Sequence, residues 1–167
     1  MGASDFINLP NIGTSVRRKE DYRFLTGGGQ YTDDITLANQ SYAVFVRSPH
    51  AHAKINSINT AAAKAAPGVL AVITAADWQA AGLGDLMSHP GLKLRDGSPM
   101  FKPRYPVLAD THVRFIGDTV AFIVADTLAQ AQDATELMQV DYEELPSVVS
   151  TEQATQGKAR VYDECKD

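Results

Sequence analysis

The chain has one cysteine, one tryptophan and no long apolar run, and each shortage excludes something. A single Cys165 rules out an intramolecular disulfide and a thiolate cluster for zinc or iron–sulfur. No stretch approaches the roughly 20 apolar residues that cross a bilayer, so no membrane partner is expected. Basic residues number 15 against 20 acidic, a net charge of −5. No Lys/Arg cluster interleaved with aromatics offers a surface for nucleic acid. Arg17-Arg18 begins no export signal, because KEDYRFLTGGGQ follows where an apolar segment is needed, and the chain reads as cytoplasmic. What remains is an ordinary globular composition, 44% hydrophobic and 21% charged over 167 residues, the size of one domain with one core.

The first dozen residues carry no periodicity and read as an arm. TGGGQYTDD reads as a loop. From Ser41 the pattern sharpens: SYAVFVRS and AKINSIN read as strands separated by a Ser48-Pro49 corner. Asn59 is placed to cap a short helix, TAAAKAA, which Pro67-Gly68 ends. VLAVIT is a continuous apolar run suited to a strand covered on both faces. AADWQAAG reads as a second short helix. The stretch from Gly82 to Pro106 holds four glycines and four prolines and reads as a functional or interface loop. In VRFIGDTVAFIVAD two apolar runs flank Gly117-Asp118, a turn of the hairpin kind. Thr127 and Gln130 match a capping box ahead of a helix carrying Leu128, Ala131, Ala134 or Thr135, and Met138 at helical spacing, and QVDYEEL is a last strand closed by Pro146. The order β-β-α-β-α-loop-β-β-α-β predicts a mixed α+β domain.

Candidate chemistry is sparse. RSPHAHAKI places His50 and His52 two apart at the apparent start of a strand, where both side chains would share a face. Two histidines are half a metal site, and His89 and His112 lie at no ligand spacing from them, so packing at a corner is the favoured role. Gly27-Gly28-Gly29 has neither the preceding strand nor the following Lys-Ser/Thr of a phosphate loop. Asp33-Asp34 and Glu143-Glu144 are neighbours whose side chains point apart. Arg47, Arg104 and Arg114 are placed to pair with carboxylates across an interface. No serine sits in a nucleophile elbow, and Cys165 has no nearby base.

These motifs, in this order, resemble the N-terminal segment of the molybdenum-binding large subunit of the xanthine dehydrogenase, aldehyde oxidase and carbon monoxide dehydrogenase family. The opening RRKED with RFLTGGGQYTDD looks most like the carbon monoxide dehydrogenase branch. The residues that carry the resemblance are Gly27, Tyr31 and Asp34; Arg47, Ser48, Pro49, His50 and His52; Pro67 and Gly68; Arg114, Gly117 and Asp118; and Tyr142 with Pro146. Asp118 stands where the family usually has Glu, and Asn59 where Asp often caps the helix.

The resemblance implies an α/β hammerhead, a mixed β-sheet with a few packing helices, over residues 21–150. Residues 1–20 would be an arm and 151–167 a linker towards a molybdopterin-binding domain. It implies a structural role for the signature residues, with no catalytic, cofactor or metal ligand among them. The family holds its molybdopterin-bound molybdenum with a Gly-Gly-x-Phe-Gly motif and uses a glutamate base, both absent from this sequence. Its iron–sulfur clusters and FAD sit in partner subunits. The chain is therefore expected to be a non-catalytic piece of such an oxidoreductase, packing on the molybdopterin domains and the iron–sulfur and flavin subunits. The alternative is an autonomous binding or assembly module that keeps the fold without the enzyme.

Overall fold

The computed structural model describes Gly13 and residues 18–87, 91–157 and 159–165, so His89 and most of the N-terminal arm lie outside the described residues. The chain divides into two units, Met1–Gln40 and Ser41–Asp167. In the first, a single helical turn, α1 (Asp21–Leu25), and a 3-10 turn (Thr32–Asp34) stand where a charged stretch and a loop were expected.

The second unit holds the strands and helices that the periodicities predict, together with a short helix within 151–167, where a linker was expected. They are β1 (Tyr42–Arg47), β2 (Ala53–Asn59), α2 (Ala61–Lys64), β3 (Val69–Thr74), α3 (Ala75–Ala80), β4 (His112–Val113), β5 (Thr119–Ala125), α4 (Leu128–Glu136), β6 (Gln139–Glu144) and α5 (Thr151–Thr155). The strands form two three-stranded sheets, in the orders β1-β5-β3 and β4-β2-β6, with every pairing antiparallel.

Two sequence expectations fail here. VRFIGDTVAFIVAD is not a hairpin: β4 pairs with β2, and β5 pairs with β1 and β3, so the Gly117-Asp118 turn carries the chain from one sheet to the other. Of the VRFI run only Val113 is in a strand, and both edges of β5 are taken by β1 and β3. VLAVIT is not covered on both faces either. β3 is an edge strand, with Val72 buried beside Ile123 and Leu70 60% exposed. A continuous apolar run shows that a strand could be buried, and the neighbouring elements decide which residues are.

The core has two clusters. Val72 and Ile123 meet Ala63 of α2 and Ala134 of α4, with Val46, Val69 and Met138 around them. Ala131 and Ala134, one helical turn apart, are the buried residues of α4, and their small side chains let the helix approach β1 and β5 closely. Ala53, Ile55, Ala109, Val113 and Val120 form the second cluster, flanked by Ile58, Val140 and Tyr142. Caps define the helix starts. Ala61 N–H donates to Asn59 Oδ1 at 3.1 Å, and Gln130 N–H donates to Thr127 Oγ1 at 3.2 Å, as the sequence predicts. Thr74 with Asp77, and Ser150 with Gln153, make two further caps at the same spacing that the sequence reading passed over.

Candidate functional site

Within RSPHAHAKI, Arg47 ends β1, residues 48–52 form a bend between the two sheets, and β2 starts only at Ala53, after both histidines. Ser48 N–H donates to Asp118 O at 2.8 Å, and Gly117 N–H donates to Ser48 O at 2.8 Å. The corner and the Gly117-Asp118 turn are thus stitched together by backbone. Arg47 adds a bond from Nη1 to Gly117 O at 2.9 Å. Ser48 is buried, and its hydroxyl closes the bend locally: Oγ accepts from His50 N–H at 3.0 Å and donates to His50 O at 3.2 Å. Pro49, with no N–H to satisfy, fits between them.

Because the backbone bends, the extended-chain premise that put the two imidazoles on one face fails. The His50 ring packs against Tyr142, centroids 4.8 Å apart, with Nδ1 3.0 Å from a Glu144 carboxylate oxygen. His52 is buried and donates Nδ1–H to Pro146 O at 2.9 Å; its nearest ring is His112, at 6.3 Å. Each histidine has its own partners. The tautomer of His52 follows from the carbonyl, which can only accept.

The signature residues on β6 and the turn complete this corner. Tyr142 faces Ile55 across the ladder, and burial pushes its phenol above the ordinary value. Asp118 accepts Arg114 N–H at 2.9 Å, and burial likewise raises its carboxyl. Glu143 and Glu144 do point apart, to Lys54 at 3.8 Å and to His50 respectively.

Of the three arginines expected to meet carboxylates across an interface, Arg104 alone pairs with carboxylates among the described residues, and both partners are within this chain. Its guanidinium lies between Asp85, at 2.6 Å, and Asp110, which clamps one end of the Gly82 to Pro106 stretch. Burial works against ionisation of Asp110, but Arg104 and Thr111 N–H outweigh it and hold its carboxyl below the usual range. The Leu86–Tyr105 and Lys93–Pro99 bridges fold the same stretch back on itself. Arg114 lies over the Tyr162 ring instead of a carboxylate, with Cζ 4.5 Å from the ring centroid.

Gly27, Tyr31 and Asp34 belong to the first unit. Gly27, at φ +75°, ends α1, and a Cβ on Gly29 would stand 2.0 Å from the Phe24 ring, which stacks on Tyr31 at 5.2 Å. Asp34 accepts Tyr31 N–H at 2.8 Å. The glycines serve a helix exit and a ring contact. Gly68, after Pro67, takes φ +77°, and its carbonyl accepts Asp126 N–H at 2.9 Å.

One surface escaped the sequence reading. On the β1-β5-β3 sheet, the face turned away from α4 carries Phe45, Phe122 and Ile73 in one register row. Phe45 is 41% exposed, its ring 4.8 Å from that of Phe122. With Trp78, Val107 and Leu108 these residues line an apolar groove of about 170 Å³. The signal was present: TVAFIVA is apolar at successive positions, whereas an antiparallel strand with one wet face alternates.

The model of the aldehyde oxidase and xanthine dehydrogenase a/b hammerhead domain matches residues 26–146. The chain belongs to this family. Relatives of the hammerhead domain include the carbon monoxide dehydrogenase large chain of Afipia carboxidovorans, 44% identical over 84% of this chain and 16% of the relative. The xanthine dehydrogenase molybdenum-binding subunit of Escherichia coli O157:H7 is 36% identical over 78% of this chain and 17% of the relative. Among solved structures, quinoline 2-oxidoreductase from Pseudomonas putida 86 is 42% identical with a TM-score of 0.75, covering 93% of this chain and 19% of that one. The chain therefore spans about a sixth of the length of these curated relatives. The α+β hammerhead read from the motifs is the fold it has.

The residues present do not fit a molybdenum cofactor. Among the described residues no three His, Cys, Asp or Glu side chains come together as a ligand set. The glycines that could bring backbone N–H groups to a phosphate are used at the exit of α1, and the corner imidazoles are already hydrogen-bonded within the fold.

Proposed function

We propose that this hammerhead domain is a structural part of a molybdenum hydroxylase oxidoreductase of the carbon monoxide dehydrogenase, xanthine dehydrogenase and aldehyde oxidase type, non-catalytic by itself. Residues 21–150 form the domain proper, and 151–167 lead towards molybdopterin-binding domains that carry the chemistry. Iron–sulfur and flavin subunits are the wider partners. The observation that supports this reading is the Phe45, Phe122 and Ile73 row on a sheet face that the described residues cover only in part. Burying one large apolar side chain contributes about 1.5–3 kcal/mol, so a partner domain seated on this row gains several-fold that amount. A module built to stand alone has no reason to keep two phenylalanines on a partly open face.

The test is to recover the N-terminally tagged polypeptide under native conditions from its source cells. Native mass spectrometry and elemental analysis then report its mass, its companions and its molybdenum. The expected result is stoichiometric molybdenum in an assembly much heavier than this chain, lost or weakened in Phe45→Asp. A metal-free 18.0 kDa species alone would overturn the reading in favour of an autonomous module.

A further inference from the structure

Arg114 leaves β4 with most of its hydrogen-bonding capacity unused. A guanidinium carries five N–H donors. Within the described residues its side chain makes one long bond, Nη1 to His112 O at 3.4 Å, while Nε is buried with no partner. The guanidinium is nonetheless held in place. Tyr162 lies against it, and Tyr162 is itself fixed by an edge contact with Phe101 at 5.9 Å and a 3.5 Å bond from its hydroxyl to Arg104 O. A buried N–H left unmet in an otherwise satisfied fold marks a place where a water or an ion belongs.

Two cavities meet at Arg114. The larger, about 430 Å³, is lined by Arg114, His52 and His112 together with residues of the 159–164 segment; the smaller, about 310 Å³, shares Thr111, Arg114 and Glu164 with it and adds Tyr162. His52 uses Nδ1–H on Pro146, so the neutral ring has Nε2 as an acceptor. His112 is held below the ordinary imidazole value, first by burial and then by the nearby charge of Arg114. Asp163 and Glu164 also border the larger cavity, together with Arg160, whose Nη1 donates to Cys165 O at 2.5 Å.

An occupant must therefore present anionic oxygens to Arg114 and a hydroxyl to the imidazole or carboxylate side. The acidic rim disfavours a dianion. We infer that this cleft binds a small oxoacid monoanion that keeps an O–H, with Arg114 donating to its oxygens and His52 Nε2 accepting from its hydroxyl. Dihydrogen phosphate is the simplest member of the class. The site is independent of the apolar sheet face and stands whether or not a partner domain covers that face.

The test is an NMR titration of the isotope-labelled 167-residue chain with inorganic phosphate, slightly below neutral pH, against chloride at matched ionic strength. Saturable shifts of the Arg114 Nε–H signal and of the Thr111 and His112 amides are expected with phosphate and not with chloride. Arg114→Lys keeps the charge but loses the fork, and is expected to bind about tenfold more weakly. Tyr162→Leu, which removes the face that holds the guanidinium at a half-buried position, is expected to weaken binding in the same sense. Parallel, unsaturating shifts with both anions would overturn the inference. So would phosphate affinity unchanged in either folded variant.

Discussion

Replacing Gly68 with alanine tests whether one glycine is required twice over, by its backbone and by the space it leaves. At φ +77° an L-residue enters the left-handed region, at a cost of about 1–2 kcal/mol. An added Cβ would also stand 2.3 Å from the Gln130 side-chain amide. That amide lies at the end of a flexible chain and can move away, but it then gives up its 2.9 Å bond with Thr127 Oγ1, about 0.5–1 kcal/mol at an exposed position. Gly68→Ala is therefore expected to cost about 1.5–3 kcal/mol in urea unfolding. Gln130→Ala alone is expected to cost about 0.5 kcal/mol, and to relieve the collision when combined with Gly68→Ala, so the double variant is more stable than the sum of the two singles. D-alanine at position 68, introduced by ligation, removes the backbone cost. Strictly additive singles, or a loss below about 0.5 kcal/mol for Gly68→Ala, would refute the reasoning.

Three further measurements probe separate layers of the fold. Ile123→Ala, at a fully buried position between β1 and β3, is expected to lose about 2–5 kcal/mol, while Leu70→Ala on the exposed edge stays within about 0.5 kcal/mol; equal losses would show the sheet buried differently. Thr127→Ala removes the hydroxyl that caps α4 and is expected to cost about 1 kcal/mol, with Thr127→Ser recovering most of it; a serine variant no better than alanine would count against the cap. Asp118 tests the sign of a pH effect. Burial raises its carboxyl above the unfolded 3.8, against the opposing pull of Arg114 and Thr119 N–H and the Arg114 charge. The folded state thus holds the proton more tightly than the unfolded chain. The stability this group contributes is fully present below 3.8 and is lost as pH rises through the raised folded value. Relative to Asp118→Asn, the wild type is expected to gain stability on acidification through that window; a flat or opposite difference curve would contradict the burial.

Local rules determined much of this protein from sequence alone. Period and turn chemistry placed β1, β2, β3, α3, α4 and β6 close to where they lie, because those signals reside within a few residues of each other. The Asn59 and Thr127 caps were legible for the same reason. The single turn α1 and the Thr74 and Ser150 caps were passed over because their segments are too short for a period to emerge. The signature motifs identified the hammerhead outright, since several of them occur in order.

Tertiary structure decided what depends on pairing at a distance. β5 is flanked on both edges by β1 and β3 and so has no edge left for β4, which pairs with β2, and neither local run contains that information. The histidines of RSPHAHAKI could share a face only on an extended chain, and the backbone bonds between Ser48 and the Gly117-Asp118 turn bend it. Arg114 could be read as an interface cation from its neighbours in sequence. That its Nε–H is buried without a partner among the described residues, with its guanidinium against an aromatic ring 48 residues further on, is a property of the folded chain alone.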